Sequence, residues 1–216
     1  RLGVVSADNN RRYRVQIGTT SSCGTSLTSV AGVLTVQESP EVTVNPIDQT
    51  VCNTGGASFS VNAGVTTGPV YQWQVDVFPP GGGFVDIVAA GPEGYAGFNS
   101  STLTIGTTTG LNGNQYRARV TGTCDLVTGV NSTAATLTVD QPLVITTNVV
   151  NTTQCEGGNA NFFVVVTGTG VISYQWEEST DGGFVWTPLA GETASSYTRL
   201  GVVSADNNRR YRVQIG

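Results

Sequence analysis

Residues 1–18, RLGVVSADNNRRYRVQIG, return unchanged as residues 199–216, so the chain carries a repeat of period 198. Such periodicity restricts the fold more than composition does, because each structural unit must be compatible with a copy of itself beside it. A weaker repeat divides the period. VCNTGG (51–56) returns as QCEGGN (154–159) and VYQWQ (70–74) as SYQWE (173–177), both displaced by 103 residues. ATLTV (135–139) matches GVLTV (32–36), and GNQYRARV (113–120) matches NRRYRVQI (208–215). The period therefore holds two related modules of about 100 residues, each large enough for its own core. This frame predicts the C-terminal part of one module in residues 1–39, a complete module in 40–140, and the N-terminal part of a further module in 141–216.

Within each module short alternating segments are separated by turn residues, the pattern of a sandwich of antiparallel strands. Gly, Thr, Val, Ser and Asn dominate the composition, a vocabulary of strands and tight turns. In ASFSVNA, Phe59, Val61 and Ala63 share one face. Trp73 follows Val61 by twelve residues, and Tyr116 opens a late strand after the turn GLNGN. A buried Trp on the third strand and a Tyr whose hydroxyl ties down the preceding corner are immunoglobulin-like features. The expected fold is all-β: tandem immunoglobulin-like β-sandwich modules strung head to tail. Val61, Trp73, Tyr116, Val164, Trp176, Tyr13 and Tyr211 are its expected structural core.

The string YQWEESTDGGFVWTPLAGETASSYT, with RRYRVQI and CGTSLTSVAGVLTV, resembles the tandem Ig-like repeats of very large secreted surface proteins of Bacteroidota, including gliding-motility adhesins. The resemblance spans the whole chain and implies an extracellular, cell-surface, many-repeat protein with structural or adhesive work. It carries over no enzymatic site, and it specifies a ligand poorly, since such sandwiches host many unrelated roles.

The four cysteines, Cys23, Cys52, Cys124 and Cys155, do not take the inter-sheet positions of an antibody domain, where Val61 and Ala118 stand instead. Val164 and Val15 occupy the same places in the other modules. Cys52 precedes the second strand, whereas Cys124 lies eight residues beyond Tyr116, roughly 26 Å away along an extended strand. A bond inside one module therefore requires TGTCDLVTG to fold back, because bridged Cα atoms lie within about 7 Å. Three arrangements remain open: pairing of Cys52 with Cys124, staples between neighbouring modules in which Cys52 meets the next equivalent of Cys23, or free buried thiols. Regular placement in an extracellular-looking sequence favours oxidation.

Other signals are weaker. Asp8, Asp48, Asp140 and Asp181 form no dense acidic run, so solvated turn residues are expected rather than a calcium site. Sequons at Asn99, Asn131 and Asn151 carry little information in a chain so rich in Asn and Thr. Two of Arg11, Arg12 and Arg14 are expected to point outward and pair with acids. Trp186 is expected to pack on the same face as Trp176 rather than offer a platform for sugars. The insertion VDVFPPGGGFVD (75–86), with Pro79 and Pro80, is the one loop differing sharply between modules, and could contact neighbouring modules or a ligand.

No cofactor, metal or catalytic site is expected. The chain has no His and all ten of its basic residues are Arg. It thus lacks an imidazole base or ligand and a Schiff-base amine. Glu177 and Glu178 are adjacent on a strand, so they cannot face each other as a hydrolytic pair. One period, residues 1–198, holds six Arg against fourteen acids, a surface unsuited to nucleic acid or anionic membrane. No apolar run approaches the roughly 20 residues of a membrane span. The expected partners are neighbouring copies of the repeat, with a surface or glycan ligand as a further option. The identical ends are expected of a stretch slightly longer than one period of a long polyprotein. The alternative is a pilin-like subunit whose last module is finished by residues 19–40 of the next chain.

Overall fold

The structure, a computed structural model, describes residues 3–79 and 81–216. Arg1, Leu2 and Pro80 of the insertion lie outside the described residues. The chain divides into two compact units, residues 1–139 and 140–216.

Unit 1 begins with four two-residue strands: β1 (Arg12–Tyr13), β2 (Gln16–Ile17), β3 (Leu27–Thr28) and β4 (Gly32–Val33). They form one interrupted hairpin in which β1 pairs with β4 and β2 with β3. A sandwich follows, built from β5 (Gln49–Cys52), β6 (Ala57–Ser60), β7 (Val70–Asp76), β8 (Val85–Asp86), β9 (Thr102–Ile105), β10 (Gln115–Gly122), β11 (Asp125–Asn131) and β12 (Ala135–Asp140). One sheet runs β5-β12-β10-β7-β8, with β11 also on β10, and the facing sheet is β6-β9.

Period-two alternation turns Phe59, Leu103, Trp73, Tyr116, Ala118 and Leu137 into the gap between the sheets, where none is more than 1% exposed. Such closely packed side chains supply most of the free energy that offsets chain ordering. The polar ends of the two rings are also satisfied. The Trp73 indole donates to the Ser100 carbonyl at 2.9 Å. The Tyr116 hydroxyl bonds the Asn114 side chain in the corner that precedes β10, and it also meets the Tyr95 hydroxyl at 3.2 Å, on the connection before β9. Burial and this hydrogen bond push the Tyr95 phenol far above its usual range. The corner itself is held by Thr108, fully buried, whose hydroxyl donates to the Gly55 carbonyl at 3.0 Å. It is also held by Asn114, whose side chain accepts the Phe78 N–H at 2.8 Å at the root of the insertion.

Unit 2 contains β13 (Val144–Thr147), β14 (Ala160–Phe163), β15 (Val165–Thr167), β16 (Tyr174–Ser179), β17 (Thr187–Pro188), β18 (Ser196–Arg199) and β19 (Arg210–Ile215). The three-stranded sheet is β17-β16-β19, opposed by β14-β18 and β13-β15. Strands β16 and β19 align Trp176 with Val213, as β7 and β10 align Trp73 with Ala118. The Trp176 indole donates to the Ala194 carbonyl at 2.9 Å, again bridging to the segment before the partner sheet. Among the described residues, unit 2 has no counterpart of β12.

Candidate assembly surfaces

The expected core residues fall into two groups. Val61 (6% exposed), Trp73 and Tyr116 (0%) and, in unit 2, Val164 (4%) and Trp176 (0%) are buried. Tyr211 is half-buried, 4.8 Å from the Phe162 ring and 5.3 Å from Tyr197, and its hydroxyl is buried without a hydrogen-bond partner. Tyr13, in the same local sequence as Tyr211, is 52% exposed. Its strand pairs only with β4, and no aromatic ring packs behind it among the described residues.

The cysteines occupy opposite poles of the complete module. The Cys52 carbonyl accepts from the Gly55 N–H at 2.9 Å and lies 3.4 Å from the Thr108 hydroxyl, at the pole where β10 begins. Cys124 follows the far end of β10, where the Thr123 N–H donates to the Thr67 carbonyl at 2.9 Å. Its thiol donates to the Gln37 carbonyl at 3.2 Å. The eight residues of β10 between the poles span about 23 Å. The chain turns back only beyond Cys124, where β11 returns along β10 and pairs Asp125 with Gly122. The length of β10 thus separates the two cysteines, against about 7 Å between bridged Cα atoms. All four cysteines are exposed free thiols.

The outer face of the sheet carries a motif that both units share. In unit 1 the Arg117 guanidinium lies 4.1 Å from the Phe84 ring centroid and donates to Gln74 at 2.8 Å. In unit 2 Arg212 lies 4.3 Å from the Trp186 ring and donates to Glu177 at 2.6 Å. Trp186 thus belongs to the face opposite Trp176. The expected same-face packing fails because Thr187 pairs with Glu178, which sets Trp186 across from Ser179. Glu177, 6% exposed, also accepts from Gln214, while Glu178 is paired with Arg209 at 3.0 Å. Arginines thus neutralise both adjacent carboxylates.

The remaining acids serve as loop organisers. Asp181 accepts from the Ser179 hydroxyl at 2.7 Å and from the Phe184 and Val185 N–H groups at 3.0 Å, and these bonds hold its carboxyl below the usual range. Asp125 is lowered to about 2 by bonds from Thr128, Val127 and Gly129. The Asp48 carboxylate accepts the Thr136 N–H at 2.7 Å. Asp8 departs from the solvated role expected of it: it is fully buried, 3.2 Å from Arg11. Among the described residues no cluster of three or more His, Cys, Asp or Glu could hold a metal ion. No described helix is long and apolar enough to cross a membrane.

A concavity of about 970 Å³ in unit 2 lies between residues 148–152 and β19, with Phe162 and Tyr211 in its wall. Of its polar lining, Asn148, Asn151 and Asn207, the sequence marks only Asn151, and that as a sequon. The usable signal was positional, because Asn148 and Asn151 stand 103 residues after Asn45 and Asp48.

A family described as a domain of unknown function, DUF8696, matches residues 145–216. Endoglucanase C of Cellulomonas fimi is 28% identical over 162 residues, which is 74% of this chain but 13% of that protein. Among solved structures, the I-band fragment I67–I69 of titin superposes with a TM-score of 0.56 at 13% identity, over 79% of this chain and 58% of that one. Domains 3–5 of Drosophila OTK, described as extracellular, give 0.51 at 16% identity, over 99% and 68% of the two chains. Rst D1-D2 gives 0.54 at 19% identity, over 83% and 92%. At these identities the likeness concerns the fold, and together with the strand order it makes the chain an all-β protein of the immunoglobulin-like sandwich type.

Proposed function

We propose that the chain is a structural repeat of an extracellular bacterial surface filament or stalk, built from tandem Ig-like modules of a long polyprotein. The observation that carries this reading is the fidelity of the repeat at the level of strand register. Arg12↔Val33 and Gln16↔Thr28 recur, 103 residues later, as Gln115↔Thr136 and Arg119↔Asn131. Selection that preserves register across modules suits a protein whose modules pack in series. The extracellular description of the OTK domains supports a secreted or surface location.

Cysteines at opposite poles of one module have no partner within reach inside it, so each is assigned to a neighbouring module along the row. Each bond forms by thiol–disulfide exchange with an oxidised dithiol donor, which takes up the two electrons and two protons that the thiols release. The test is the mass of the native protein, denatured with and without reductant. A reduced mass of hundreds of kilodaltons supports the polyprotein, and a reduced band near 22.4 kDa overturns it.

A second reading, a glycan-binding adhesin module, draws on the similarity to part of an endoglucanase. Trp186 is its natural platform, but the Arg212 guanidinium already covers one ring face. Titration with cello-oligosaccharides, followed by Trp fluorescence, decides it: a saturable change lost in Trp186→Ala supports binding, and a flat titration removes the reading.

A further inference from the structure

Two modules meet inside unit 1, where the hairpin of β1 to β4 gives way to the sandwich. The link between them is a single residue. On the hairpin side, Asn9 Oδ1 accepts the Val36 N–H at 3.0 Å. On the sandwich side, Thr67 Oγ1 accepts the Glu38 N–H at 2.8 Å, and the Thr67 N–H donates back to the Glu38 carbonyl at 3.4 Å. Only Gln37 lies between the two grips, and its carbonyl is the one that accepts the Cys124 thiol.

The residues that follow are pinned as densely. Thr66, 7% exposed, accepts the Glu41 N–H at 3.0 Å while its hydroxyl donates to the Ala63 carbonyl at 2.6 Å. The Glu41 carboxylate accepts the Val65 N–H at 2.7 Å. Pro40 fixes its own φ and biases Ser39 toward extended backbone. The Pro40 ring closes on the end of β10 at Gly122, where an added Cβ would stand 2.8 Å from Thr66 Cγ2, 3.1 Å from Thr67 O and 3.5 Å from Pro40 Cγ. A glycine there lets the link lie directly on the module that follows.

Both halves of this joint recur one module later. Strand β12, which leads out of the complete module, is held on both flanks. On one it pairs with β10, and at its end Asn112 Oδ1 accepts the Val139 N–H at 2.8 Å. On the other, Asn45 Oδ1 accepts the Thr133 N–H at 2.8 Å and Asp48 Oδ1 the Thr136 N–H at 2.7 Å. In unit 2, Thr169 Oγ1 accepts the Gln141 N–H at 2.9 Å and the Thr169 N–H donates to the Gln141 carbonyl at 3.1 Å. Asn112, Val139 and Gln141 stand 103 residues after Asn9, Val36 and Glu38. An Asn that holds the outgoing strand and a Thr that holds the incoming segment thus form a repeated device.

A tether that lets modules swing needs several residues whose φ and ψ turn without breaking other bonds. At this joint the φ and ψ of Gln37 are the pair between the grips, and turning them breaks the bond to Asn9 or the bond to Thr67. We infer that the joint is a rigid coupling: Asn9 and Thr67 fix the attitude of the hairpin on the sandwich that follows it, and the two turn as one body. Neither grip involves sulfur, so the coupling holds whether Cys124 is a thiol or oxidised. The inference deepens the stalk reading and rests on it only for the recurrence of the joint along a longer row. A stalk with such joints is a rod and not a string of beads.

The test uses the full chain labelled with nitrogen-15, and reads amide exchange together with rotational relaxation. The Val36 and Glu38 N–H groups should exchange at least tenfold more slowly than in an unstructured chain. The Ser29 and Leu34 amides of the hairpin should share one rotational correlation time with the Trp73 and Leu137 amides of the sandwich. Thr67→Val, which keeps the shape and removes the acceptor, should cost Glu38 its protection and leave that of Val36; Asn9→Ala should do the reverse. Inserting two glycines after Gln37 leaves both grips in place and lengthens the link, so the hairpin's correlation time should fall about twofold below that of the sandwich. Unchanged exchange at the Trp73 N–H separates these effects from a loss of the fold. Two correlation times in the unaltered chain, unprotected Val36 and Glu38 amides, or common tumbling after the insertion overturns the inference. A reduced native mass near 22.4 kDa would sink the polyprotein and leave these readings on the single chain untouched, so the two failures are distinguishable.

Discussion

Phe59 and Phe162 occupy equivalent positions 103 residues apart, and truncating each should cost different amounts. Phe59 is 1% exposed, stacked on Tyr116 at 5.0 Å and 6.5 Å from Trp73. Phe162 has the matching neighbours, Tyr211 at 4.8 Å and Trp176 at 6.5 Å, but it borders the open cleft. Removing a fully enclosed Phe side chain costs about 3–5 kcal/mol, the lost transfer energy plus the void left behind. At the cleft wall the ring is already part-exposed and its removal leaves no enclosed void, so Phe162→Ala should cost about 1–2 kcal/mol. Amide hydrogen exchange reads the two units separately through the Trp73 N–H, bonded to Phe98 O at 2.7 Å, and the Trp176 N–H, bonded to Glu192 O at 3.0 Å. At about 1.4 kcal/mol per decade, Phe59→Ala should lower Trp73 protection by at least a hundredfold, and Phe162→Ala should lower Trp176 protection by about tenfold. Equal losses at both sites would refute the claim that Phe162 is the less enclosed of the two rings.

Three further outcomes are expected. Burial raises the Tyr95 and Tyr116 phenols above their ordinary value of 10.0, so the stability they confer is complete below that pH. It should fall as pH rises past 10, where only the unfolded chain ionises, and alkaline melts of Tyr95→Phe should show a weaker fall. Asp181 is depressed, so order in the 180–186 loop is present through the usual carboxylate range and is lost as pH falls below it, through the group's own lowered value; Asp181→Ala should abolish that dependence in Phe184 and Val185 amide shifts. All four cysteines of the reduced, folded chain should react with maleimide at rates near those of the unfolded chain, and slow labelling of Cys52 or Cys124 would contradict their polar exposure.

The positions of Trp73 and Trp176 could be read from spacing, because alternation and turn placement leave one face to bury and a large ring must fill it. The rings that surround Tyr211 could not be paired from the local sequence, since Phe162 and Tyr197 stand on other strands. The Tyr95–Tyr116 bond escaped notice because Tyr95 lies in an irregular connection with no period to place it. The side chains that grip β12 were hidden for another reason: Asn and Asp are so common here that Asn45, Asp48 and Asn112 looked like ordinary turn residues. Only their recurrence at the module spacing marks them out. Trp186 was assigned to the wrong face because the register of β17 on β16 hinges on a loop whose length the sequence leaves open.

The two-sided grip on β12 also has a mechanical meaning. Asn45 and Asp48 meet Thr133 and Thr136 in the same order along the chain, so these segments run parallel. A module pulled apart through its two ends loads such a seam in shear, and its bonds carry the tension together instead of parting one after another. A row of such modules would then hold its length under drag until a whole seam gives way at once.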